Sequence, residues 1–92
     1  MLYCVQMDVR VPHDMDPARL EQLKADEKMR AQDLQRAGKW PHLWRVAGRY
    51  ANVSVLDVAD HDELHALIAS LPLFPFMEIT VTPLARHPSA IA

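Results

Sequence analysis

The sequence predicts an α+β fold, a four-stranded antiparallel sheet with two helices on one face. Three observations carry this. Apolar residues alternate with period two near both ends of the chain, and a central pair of segments is rich in aromatic and β-branched residues. Two intervening segments repeat apolar residues at helical spacing, and proline, glycine or aspartate punctuates the changes of period. The element order that follows is β-α-β-β-α-β.

The first strand runs from Tyr3 to Val11, where Tyr3, Val5, Met7, Val9 and Val11 alternate with Gln6, Asp8 and Arg10. That is the period of a half-buried strand. "PHDMDP" ends it, with Asp16 as N-cap of the first helix and Pro17 at the first helical position, where a missing N–H costs nothing. Leu20, Leu23, Ala31 and Leu34 share one arc of this helix, which extends to about Ala37, with Gly38 as the residue just past its end. "WPHLWRVAGRY" and "ANVSVLDVA" are rich in aromatic and β-branched residues and divide near Gly48 to Ala51, which predicts two adjacent antiparallel strands. Asp60 and Glu63 have capping-box spacing at the start of a second helix, where Leu64, Leu67, Ile68 and Leu71 recur at helical intervals. The prolines of "PLFPFM" stop that helix, and "MEITVTPL" alternates as the last strand. This order is the split βαβ, ferredoxin-like arrangement. The sheet face without helices is expected to meet a partner subunit or a ligand, with Trp44, Met7 and Val46 as candidates to line it.

A chain of 92 residues, half of them apolar, has room for a single domain, residues 1–92, with one modest core. Its 10 basic and 12 acidic residues are interleaved, leaving no basic stripe to neutralise phosphates, so no nucleic-acid partner is expected. The lone Cys4 cannot form an internal disulfide and reads as a small, buried or half-buried strand residue. No basic leader opens the sequence and no apolar run approaches the roughly 20 residues of a membrane span, so a cytoplasmic protein with no membrane partner is expected. A domain this short with so many apolar residues often completes its burial as a homo-oligomer.

Strong motifs are missing. Two glycines cannot make a phosphate loop, and there are no paired cysteines and no HExxH. His61 and His65 lie one turn apart without a third ligand nearby, so no metal is expected. Ser54, Ser70 and Ser89 sit in no nucleophile elbow.

The anomaly is Glu27, which falls near the middle of the apolar arc of the first helix. Its structural explanation is a carboxylate at a subunit boundary, paired with Lys24 or Arg30, each one turn away. Its functional explanation is a general base: a carboxylate among leucines loses hydration, its pKa rises toward neutrality, and it becomes matched to a weakly acidic carbon-bound proton. Lys24, on the flank of the same arc, can supply positive charge to a developing oxyanion. Tyr50 and Asn52 fall at the hairpin, and His65 borders the apolar stripe of the second helix. Arg45 and Arg86 are each suited to a substrate carboxylate or to a neighbouring subunit.

Four stretches carry a wider resemblance: "DMDPARLEQLKADEK" (14–28), "LQRAGKWPHLWRVAGRYANVSVLDV" (34–58), "LPLFPFMEI" (71–79) and "RHPSAI" (86–91). In these segments, in order and spacing, the chain resembles the muconolactone isomerase family of bacterial catechol degradation. The resemblance implies a ferredoxin-like fold, a dimer assembled into a decamer, no cofactor, and isomerisation of (S)-muconolactone to 3-oxoadipate enol-lactone. Glu27 and Lys24 fall in the matching "LKADEK". Glu27 is then expected as proton shuttle, Lys24 with Tyr50 or His65 at the oxyanion, and Arg45 or Arg86 on the substrate carboxylate, with Asn52 and Trp44 as further substrate contacts. Relatives that eliminate chloride from a chlorinated lactone are one alternative, and a noncatalytic ferredoxin-like binding module is another.

Overall fold

The computed structural model covers residues 1–92. Its elements are β1 (Leu2–Val9), α1 (Pro17–Arg36), β2 (His42–Arg45), β3 (Ala51–Asp57), α2 (His61–Ala69), a 3₁₀ turn (Phe74–Phe76) and β4 (Met77–Leu84). All pairings are antiparallel, in the order β2-β3-β1-β4. Each helix therefore links two strands that flank a third, which is the ferredoxin-like topology expected from the sequence.

Strand period decides which side chains enter the core. Tyr3, Val5 and Met7 alternate along β1 and are at most 1% exposed. In register with them, Leu56 and Ser54 of β3 lie on the same face. Against this face pack Ala31 and Leu34 of α1 and Leu64, Leu67 and Ile68 of α2, with Trp40, Val58 and Leu71 completing the cluster. Full burial of one such aliphatic side chain contributes about 1.5–3 kcal/mol, so the inner face is the main source of stability. Ser54 is the one buried polar residue, and its hydroxyl donates to Asn52 Oδ1 at 2.7 Å.

Two details of β1 differ from the sequence expectation. The strand ends at Val9, two residues early: Val9 N–H donates to Tyr50 O and Arg10 N–H to Phe76 O, and Pro12 then has no N–H to extend the ladder. Met7 is fully buried beneath the helices rather than on the open face, because period two puts it with Tyr3 and Val5. The open face instead carries Cys4 and Gln6, with His42 and Trp44 stacked at 4.9 Å on the edge strand.

The turns follow their residues. Asp16 occupies the N-cap of α1 without a side-chain cap bond, Pro17 starts the helix, and Gly38, at φ 77°, takes the left-handed conformation past its end. Gly48, at φ 80°, does the same in the β2–β3 hairpin. Asp60 caps α2 by accepting from Glu63 N–H at 2.8 Å. Lys39 Nζ meets Glu63 Oε1 at 2.8 Å, tying the α1–β2 connection to α2.

Candidate active site

The inner face of the sheet is not covered evenly. Toward the start of β3, Tyr50 lies beside Val9 and Asn52 lies between Met7 and Arg45. Over this end α1 carries Lys24, Glu27 and Lys28 instead of leucines. The result is a cavity of about 380 Å³. Its apolar walls include Val9, Trp40, Leu43, Leu73 and Met77, and its polar groups include Glu27, Lys24, Lys28, Arg45, Tyr50 and Asn52. An apolar pocket with a few convergent polar groups is the usual form of a small-molecule site.

Glu27 is half-buried, and its Oε1 accepts from the backbone N–H of Leu73 at 2.8 Å. Burial pushes its pKa above the ordinary 4.5, and the Leu73 hydrogen bond opposes that rise without cancelling it. Oε2 has no hydrogen-bond partner in the chain. The ion pair offered as a structural explanation does not form. Lys24 Nζ lies 3.7 Å from Glu21, and Arg30 donates from Nε to Ser70 Oγ at 3.1 Å. Glu27 is thus a partly desolvated carboxylate with one oxygen anchored to backbone and the other free, the state a general base needs.

Tyr50 gathers two of the cations that line the cavity. Its ring centre lies 5.8 Å from Lys24 Nζ and 5.4 Å from Arg45 Cζ, both within cation–π range. It thereby draws a lysine of α1 and an arginine of β2 to one aromatic ring. Asn52 is fixed by Ser54, whose hydroxyl uses the amide oxygen as acceptor and leaves the amide N–H₂ unused by that bond.

Not every candidate residue reaches the cavity. His65 is exposed on α2 and meets Phe74 edge-on at 6.4 Å. Trp44 stands on the opposite sheet face, and Arg86 is exposed in the tail beyond β4. His61 is engaged elsewhere, hydrogen-bonded through Nδ1 to the Tyr3 hydroxyl. Sequence reasoning missed Lys28, Gln32 and Leu73. Lys28 and Gln32 follow Lys24 at four-residue intervals, so the helical wheel contained them. The Leu73 N–H had no sequence signal, because any residue but proline presents one.

The fold and cavity define a class: a ferredoxin-like α+β enzyme scaffold with a carboxylate and three cations lining one cavity. A family model described as muconolactone delta-isomerase matches residues 1–90, and the chain belongs to that family. It is 60% identical to the muconolactone Delta-isomerase of Cupriavidus pinatubonensis, over 99% of each chain. It is 57% identical to that of Pseudomonas putida, over 99% of this chain and 95% of the relative. A crystal structure of muconolactone isomerase matches at a TM-score of 0.95 and 59% identity, covering 100% of this chain and 96% of the other.

Proposed function

We propose that the chain isomerises (S)-muconolactone to 3-oxoadipate enol-lactone by a 1,3-proton shift in bacterial catechol breakdown. The observation that carries this is Glu27: a carboxylate of raised pKa with one unengaged oxygen, in an apolar-walled cavity beside three cations, on a muconolactone isomerase scaffold. The Glu27 carboxylate takes the C4 proton. The C4–H electron pair becomes the C3=C4 bond, and the C2=C3 pair moves toward the carbonyl, leaving a dienolate with charge on the carbonyl oxygen. When the carbonyl re-forms, C2 takes the proton back from the Glu27 carboxyl. One carboxylate serves both transfers, so the reaction needs no cofactor.

Lys24 and Tyr50 are assigned to the carbonyl oxygen, where charge develops. Tyr50 is preferred to His65 because it lines the cavity with Lys24. Arg45 is assigned to the carboxymethyl arm for the same reason, with Asn52 as a further contact. Arg86 and Trp44 are assigned to contacts with neighbouring copies in a cytoplasmic homo-oligomer, a dimer built up to a decamer. The support for assembly is apolar exposure: Leu2, Trp44 and Leu84 are 44–55% exposed on or near a sheet face that no helix covers.

The test is to assay purified protein with muconolactone and with its 5-chloro analogue. Isomerisation of muconolactone is expected. Rapid chloride release from the analogue with negligible isomerisation would assign the chain to the dehalogenating reaction, and inactivity on both would leave a binding module.

A further inference from the structure

Three cations line the cavity, and two of them have partners in the chain. Lys24 lies near Glu21 and the Tyr50 ring, while Arg45 lies near the same ring and donates to the Arg49 carbonyl at 3.4 Å. Lys28 has no hydrogen bond, ion pair or aromatic contact, although it lines the same cavity. Its helical neighbours explain why: the positions three and four residues away are Lys24, Ala25, Ala31 and Gln32, none of them an acid. Lys24 at i−4 is a like charge, a mildly destabilising arrangement in an isolated helix. Glu27, adjacent in sequence, directs Oε1 to the Leu73 N–H instead. Lys28 is exposed, so it stands at the open edge of the cavity as a cation that the chain itself does not neutralise.

The charge of the proposed reaction gives such a cation a use. Building on the isomerase reading, the substrate enters with one carboxylate and becomes a dianion when the dienolate forms, so one cation must serve the carboxylate while another serves the oxyanion. Lys24 and Tyr50 stand together for the oxyanion. We propose that Lys28 is a binding residue for the anionic arm, sharing the carboxylate with Arg45 and selecting for lactones that bear one. Because the arm keeps its charge throughout the reaction, Lys28 binds ground state and transition state alike and acts on KM rather than on kcat.

The experiment compares wild type, Lys28→Gln and Lys28→Arg on muconolactone and on the methyl ester of its carboxymethyl arm. Lys28→Gln is expected to raise KM for the acid about tenfold, to leave its kcat and the KM for the ester within about twofold of wild type, and Lys28→Arg to restore the low KM. An unchanged KM for the acid, or equal rises for acid and ester, overturns the proposal. A wild-type protein inactive on both lactones overturns the isomerase reading instead.

Discussion

The two helices cover the same sheet and do different things for it. α2 has nine residues and buries Leu64, Leu67 and Ile68, whereas α1 has twenty and buries only Ala31 and Leu34, both in its second half. Leu20 and Leu23, earlier on its apolar arc, are only half-buried. The short helix closes the core. The long one gives up burial over its middle turns, where Lys24, Glu27 and Lys28 overlook the cavity. A helix that under-packs for its length, with a desolvated acid where a leucine would fit, is a mark of a site that can be read before any ligand is known.

The contrast is broken most severely by Glu27→Gln, which keeps shape and removes basicity. A hundredfold to ten-thousandfold loss of kcat is expected, the usual worth of a general base, with the elution volume on gel filtration unchanged. Full activity would return Glu27 to a structural role. As the proposed base, the same residue is expected to set the pH behaviour. As pH falls through its raised pKa, kcat/KM should fall, at a higher pH than an ordinary carboxylate would impose. Stability runs the other way: the folded state holds this proton more tightly than the unfolded chain, so its contribution is present below 4.5 and is lost as pH rises through the folded value. Glu27→Gln should remove that slope from a series of urea melts.

The opposite signature belongs to α2. Leu67→Ala, at a side chain 6% exposed, should cost about 3 kcal/mol in urea unfolding while kcat of the folded protein stays near wild type. A matching loss of kcat would show that α2 does more than pack. The smallest effect is at the α2 cap. Asp60→Ala removes the acceptor for Glu63 N–H and should lower stability by about 1 kcal/mol with no change in KM.

Much of the fold was legible because its determinants are local. The alternation of Tyr3, Val5 and Met7, the Pro17 start, the Gly38 stop and the Asp60 cap each act within one element or at its edge, where spacing alone specifies geometry. Glu27 was legible for the same reason, as a local break in a helical pattern.

What sequence could not decide is which groups meet across elements. Lys24 and Arg45, twenty-one positions apart, come to one tyrosine ring because β2 pairs with β3 in a particular register. The N–H that holds Glu27 comes from Leu73, in a turn forty-six residues away. His65 and Trp44 carried suitable chemistry but face away from the cavity, since the rotation of a helix and the parity of a strand are set by the whole core. Sequence by itself determined the elements and the misplaced carboxylate, because propensity, capping and periodicity act over a few residues. Only the tertiary structure decided which cations share a cavity with that carboxylate and which of its oxygens stays free, because those contacts depend on how separate elements pack.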